Sequence, residues 1–362
     1  MRKVMTLFVA LAAMMFTSCK KEFVIIVLSN NEEWGLVAGS GVYAKGSEIS
    51  IEAIAKSGYK FVSWQDGNTE NPRTITVKND VTYIATFVKE SGGGGGEEPN
   101  LAVFSVSATQ KVYFSPGNLQ WSAEGTHAVI GGGNAAGTWR FAPNQWDTIG
   151  ANNSKITGWI DLFGWGTSGY NNKYPSMTGT TSTDYGNGEN DISGTNYDWG
   201  IYNAIYHPKT KATDAPGTWR TLTTDEWEYL LETRPTLSGI RYAKAIVCGI
   251  AGLIIVPDNF VISTNYQLTN VNTSGAAYTT NIIGASDWSN MEAVGCVFLP
   301  AAGYRRYGTW VDDVGSSGNY WSATYNDSDL AYGLFFLSSF LYPSGYDYRD
   351  VGKSVRLVRD VK

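Results

Sequence analysis

Charge is scarce in this sequence and histidine nearly absent. Of 362 residues, 17% are Asp, Glu, Lys or Arg, and the two histidines are His127 and His207. Basic residues are the rarer kind, 27 against 33 acidic ones with a net charge of -6. That balance argues against electrostatic binding to nucleic acid or to an anionic membrane surface. Neither histidine has a Ser, Cys or carboxylate at a spacing that signals catalysis, and both read as ordinary surface residues. Cysteine is limited to Cys19, Cys248 and Cys296. So little charge, together with abundant aromatics, argues against a disordered chain.

Aromatic residues make up 14%, with 13 Trp and 22 Tyr, and there are 41 Gly. With short apolar runs, this composition predicts turn-rich, mostly β domains rather than long helices. The longest apolar run, Val4 to Met15, follows Arg2 and Lys3 and precedes Phe16-Thr17-Ser18-Cys19. It is too short to span a bilayer and has the grammar of an export signal over residues 1–18. Phe16 to Cys19 resembles a relaxed bacterial lipobox, which implies acylation of Cys19 and a lipid anchor with its tether over residues 19–22. The following Lys20-Lys21-Glu22 partly resembles the surface-export tag of Bacteroidetes lipoproteins and reads equally well as a solvated tether. Ile246-Val247-Cys248 and Cys296-Val297-Phe298 look like buried strands, so two buried thiols are favoured over a disulfide.

Residues 23–88 alternate apolar and polar positions in short bursts between Gly-rich and Asn-rich turns, which predicts a set of short antiparallel strands. Gly39 to Tyr43, Gly58-Tyr59-Lys60-Phe61-Val62-Ser63-Trp64 with Asp66-Gly67, and Asn71-Pro72-Arg73 to Phe87 resemble the divergent internalin-type B repeat of bacterial surface proteins. That resemblance implies a small β-rich spacer with Tyr59 and Trp64 as core plates. Residues 89–100, which include five consecutive glycines, read as a flexible linker. Within it Glu98-Pro99-Asn100 matches a calcium motif of animal lectins, but a solvated linker lacks the rigid loop that motif needs.

From residue 101 to 362 one helix is legible. Thr223 and Glu226 fit a capping box, and Trp227, Leu230 and Leu231 share a face. Leu253 to Pro257, Val297 to Pro300 and Ser354 to Val358 read as strands of a central sheet, giving an α+β domain. Val112 to Gln120, Trp159 to Tyr170, Tyr197-Asp198-Trp199-Gly200, Leu299 to Arg305, Gly318 to Ser322 and Ser354 to Arg359 resemble a Bacteroidetes paralogous family related to the Fibrobacter major paralogous domain. The resemblance implies a C-type-lectin-like, formylglycine-generating-enzyme-like fold. The enzymes of that fold carry a copper-binding cysteine pair near the C-terminus, which has no counterpart here, and Arg220 to Thr223 departs from their signature. The expectation is therefore a binding protein without a cofactor, not an enzyme. Asp184 to Asp191 has oxygens that suit calcium but lacks the spacing of a calcium loop, and no metal site is assigned.

Residues 322–353 depart most from the rest of the domain. Family-like positions such as Ala331, Tyr332, Leu334, Phe336, Arg349 and Gly352 alternate with assorted ones where the family often has Asn. The assorted set runs Asp329, Leu330, Gly333, Phe335, Leu337, Phe340 and Tyr342, then Ser344, Gly345, Tyr346, Asp347, Tyr348, Asp350 and Val351. Each can be encoded by an Asn codon altered only at its adenines. The segment thus resembles the variable region of a diversity-generating retroelement target, and that resemblance implies a binding face. Tyr, Ser, Gly and Asp are also the mixture of antibody loops. Leu334 and Phe336 are expected to face the core, and Phe335, Phe340 and Tyr342 to form an exposed apolar patch. The candidate ligand contacts are Tyr325 and the assorted set without Gly345 and Val351. A protein or peptide ligand fits better than a simple glycan. The whole reads as an outer-membrane, surface-exposed lipoprotein, with a structural or adhesive subunit as the alternative.

Overall fold

Alternation decides the N-terminal unit. In Glu22–Ser29 the side chains of Ile25 and Val27 are buried while their neighbours are not, as a two-residue period requires. The computed structural model describes residues 21–31, 34–56, 59–89, 102–123, 137–154, 158–177, 181–262 and 267–362. The export signal, Cys19, Lys20, the stretch 90–101 with Glu98-Pro99-Asn100, and His127 lie outside them. The chain divides into two units, Met1–Glu97 and Glu98–Lys362.

In the first unit a four-stranded sheet runs in the order Gly41–Ala44, Glu22–Ser29, Val81–Lys89 and Tyr59–Trp64. A three-stranded sheet runs Gly35–Ala38, Glu48–Ala55, Arg73–Thr76. One core lies between them, built from Ile25, Val27, Ile51, Ala53, Trp64, Ile75, Ala85 and Phe87. Trp64 is fully buried and donates its indole N–H to the Glu70 carbonyl at 2.8 Å. Tyr59 is only half-buried and stacks on Trp34, ring centroids 5.6 Å apart, at the margin of the core. The strands are not all antiparallel: Glu22–Ser29 pairs parallel with Val81–Lys89.

Strands also far outnumber helices among the described residues of the second unit. A five-stranded sheet has the order Trp159–Ile160, Leu119–Ser122, Thr138–Phe141, Ile205–His207, Ala212–Asp214. The expected single central sheet is in fact two. Ile250–Ile255 and Val297–Pro300 pair within one four-stranded sheet. Leu357–Asp360 instead pairs with Lys111–Phe114 and Arg220–Thr221 in another, so that the last strand of the unit lies beside one of its first. The capping box forms as the sequence predicts, with Thr223 Oγ1 accepting from the Glu226 N–H and the Glu226 carboxylate accepting from the Thr223 N–H. Trp227, Leu230 and Leu231 are buried along one side of Thr224–Glu228 and its π-helical continuation Tyr229–Thr233. Among the described residues two further α-helices are Trp199–Tyr202 and Ala285–Ala293.

Two residues differ from expectation in their surroundings. Cys248 does not lie in a strand. With Gly249 it makes the two-residue turn between Tyr242–Val247 and Ile250–Ile255, both at positive φ (50° and 86°), the conformation that a tight hairpin of this twist needs. His207 is buried rather than on the surface, its Nδ1 accepting from the Lys209 and Thr210 N–H groups. Both Cys248 and Cys296 are free thiols, and Cys296 is buried.

Candidate ligand-binding face

The C-terminal sheet consists of Gly318–Tyr325, Leu330–Phe336 and Leu341–Tyr348, all antiparallel, with the last as edge strand. Its inner face is core: Tyr320, Leu334, Phe336 and Leu341 pack with Trp227, Leu230 and Leu231 of the capped helix. Its outer face is aromatic. Tyr342, Tyr346 and Tyr348 on the edge strand are 58%, 64% and 58% exposed. Across from them in register stand Phe335, Tyr332 and Leu330. The Tyr332 and Tyr346 rings meet edge to face with centroids 6.3 Å apart, and Phe340 bridges Phe335 (5.1 Å) and Tyr342 (5.0 Å).

A bulge makes this face possible. Opposite the single residue Leu334 the edge strand places two, Pro343 and Ser344, between the pairs Phe335–Tyr342 and Gly333–Gly345. Tyr342 and Tyr346, four residues apart, share a face as a two-residue period requires, and the extra residue brings them into register with Phe335 and Tyr332, which are only three apart. Pro343 lacks an N–H and sits where a sheet tolerates it, on an edge strand at a bulge.

Cations hold the face from beneath. Lys244 Nζ donates to the carbonyls of Ser274 and Leu337 and, at 3.0 Å, to that of Phe340, so one ammonium ties the tight loop between the last two strands to Tyr242–Val247. Burial lowers the Lys244 pKa to about 8. The Arg349 guanidinium lies between the Trp165 and Tyr325 rings, 4.9 and 4.8 Å from their centroids. It donates to the carbonyls of Gly188 (2.8 Å), Tyr185, Leu330 and Asp327. Desolvation lowers its pKa. Lys353 stands over the Trp321 ring at 4.4 Å and pairs with Asp347 at 3.3 Å.

The candidate contacts therefore separate. Leu330, Phe335, Phe340, Tyr342, Tyr346 and Tyr348 come together on the outer face, with Leu337 and Ser344 half-buried in the adjoining loop and bulge. Asp329 is exposed in the hairpin before Leu330. Four others serve the framework. Gly333 is buried, and a Cβ there would lie 2.4 Å from the Tyr320 carbonyl oxygen, so no side chain fits. Asp347 is taken by Lys353, and Asp350 accepts from Ser182 Oγ at 2.6 Å. Tyr325 lies under Arg349, its N–H donating to Asp191 at 2.7 Å. Tyr332 completes the aromatic face although its family-like character sets it apart in the sequence. Its cross-strand register with Tyr346 is the signal that finds it. Tyr307 and Trp310, each 69% exposed at the hairpin Tyr304–Arg306 and Trp310–Asp312, had no signal of their own.

Nothing on the outer face is a nucleophile next to a base. What it offers is flat area with phenolic hydroxyls at its rim, which suits recognition. Among the described residues no group of three His, Cys, Asp or Glu converges as a metal site, and no helix is long and apolar enough to cross a membrane. No curated protein and no solved structure matches the chain. Residues 26–91 match the family model of the divergent InlB B-repeat domain, so that the N-terminal module carries a repeat of that family.

Proposed function

We propose that the chain is a surface-displayed lipoprotein, anchored through Cys19. Its B-repeat module would act as a spacer, and its C-terminal domain, of C-type-lectin-like type, would bind a protein or peptide ligand. The observation that carries this reading is the aromatic face over Leu330–Phe336 and Leu341–Tyr348, which a buried framework backs. Large exposed rings cost solvation unless a partner covers them, and Tyr is among the residues that dominate binding energy at interfaces. The retroelement reading applies to the outward positions, where a side chain can change without touching the core. It does not extend to Gly333, whose site admits glycine alone.

The test uses peptides selected on the full-length protein from a random phage-displayed library. The combination Tyr342→Ala, Tyr346→Ala and Tyr348→Ala should weaken binding of those peptides by about a hundredfold or more while leaving the circular dichroism unchanged. Peptides that bind the triple variant as tightly as the parent would place the site elsewhere.

A further inference from the structure

The strand Glu22–Ser29 is apolar on both faces. Ile25 and Val27 fill the core, yet Val24, Ile26 and Leu28 point the other way and are 45%, 42% and 47% exposed. The next strands extend this outward row: Val42 stands opposite Val24, and Ile84 opposite Leu28. Parallel pairs such as Glu22–Ser29 with Val81–Lys89 are ordinarily covered on both faces, and a contiguous apolar patch marks a contact surface. The other sheet of the module turns Glu48, Ser50 and Glu52 outward, with Thr74 and Thr76 beside them. That sheet also turns out one apolar pair, Leu36 opposite Ile54, among its polar residues, so the face with Val24, Ile26 and Leu28 is the more continuously apolar of the two.

The length of chain before the first strand says what covers the apolar face. Three residues lead from Cys19 to Glu22, at most about 11 Å of extended backbone. If the Cys19 sulfur carries diacylglycerol, the strand that starts at Glu22 cannot leave the headgroup region. We propose that this outward face, Val24, Ile26 and Leu28 with Val42 and Ile84, lies on the lipid surface as a second membrane contact beside the acyl anchor. The proposal rests on the lipoprotein reading above. Val, Ile and Leu side chains reach the acyl boundary from such a face, as they do from the apolar side of an interfacial helix, and the acyl chains keep them at the surface.

The test compares cysteines on the two faces of the module. The full chain is expressed with its own leader in a Gram-negative host in a Cys248→Ser background, with either Ile26→Cys or Leu36→Cys. Labelled palmitate reads the anchor. The protein is then placed in phosphatidylethanolamine–phosphatidylglycerol vesicles and treated with a membrane-impermeant maleimide. The Leu36→Cys chain corrects for molecules facing the vesicle lumen. The expected result is that Ile26→Cys reacts about tenfold more slowly than Leu36→Cys in vesicles. The two should react alike in a non-acylated chain beginning at Lys20, in buffer. Palmitate incorporation with equal rates in vesicles would overturn the membrane contact and leave the anchor standing. Absence of palmitate would overturn both. Slow reaction of Ile26→Cys in the non-acylated chain without lipid would assign the face to a second copy of the protein.

Discussion

At the scale of single residues, the buried carboxyls set a pH dependence opposite to the usual one. Asp198 is fully buried and accepts from the N–H of Gly200 and from the N–H and hydroxyl of Thr221. Burial still outweighs these donors and pushes its pKa up to about 6, as it does for Asp161. A carboxyl raised in the folded state binds a proton that the unfolded chain, with its ordinary pKa near 4, does not bind between about pH 4 and 6. Its contribution to stability is therefore fully present below about pH 4 and is lost as pH rises through about 6. Asp198→Asn removes this titration, so wild type should gain on the variant by about 2 kcal/mol between pH 7 and pH 4 in urea denaturation. A difference that stays constant with pH would mean that Asp198 is ionised throughout. In the sequence Tyr197-Asp198-Trp199-Gly200 is legible as a family run, but nothing in it says that the carboxylate is dry. Burial of a polar group depends on chain segments far away, which is also why His207 and Gly333 read wrongly.

Between elements, the tie that matters most is Lys244. Lys244 stands between two alanines in Tyr242–Val247, a strand covered on both sides, and is itself buried. Its ammonium substitutes for water at the carbonyls of Ser274, Leu337 and Phe340. Lys244→Met keeps the length of the side chain and leaves these acceptors without that donor, at a cost of about 2–4 kcal/mol. The amides of Leu337 and Leu341 should exchange hydrogen faster while those of the capped helix do not. Unchanged exchange at Leu337 would remove the anchoring role. The contrast with the capping box shows which elements a sequence reveals. Thr223 and Glu226 are three residues apart and find each other locally. The helix Ala285–Ala293 has Gly284 as its cap with no side-chain bond, and buries only Trp288 and Met291. The pairing of Leu357–Asp360 with Lys111–Phe114 spans most of the domain and has no local signature.

Over the whole molecule, each unit has its own core. Every residue of the module's cluster lies between Phe23 and Phe87, and the three clusters of the second unit all lie beyond Ala102. The glycine run between them is the one feature of this division that the sequence shows directly, because it can bury nothing. A module of this size buries a smaller share of its surface than a domain of over two hundred residues, and less so with Val24, Ile26 and Leu28 exposed. Calorimetry of the full chain in buffer should therefore show two transitions, the lower one from the module. Removing residues 1–100 should abolish the lower transition and leave the upper within about 3 °C, the shift that roughly 1 kcal/mol of mutual stabilisation would produce. A larger shift would mean that the two cores support each other. If only the lower transition rises when the acylated chain is placed in vesicles, the lipid binds the folded module alone, since a surface stabilises only the unit that it contacts.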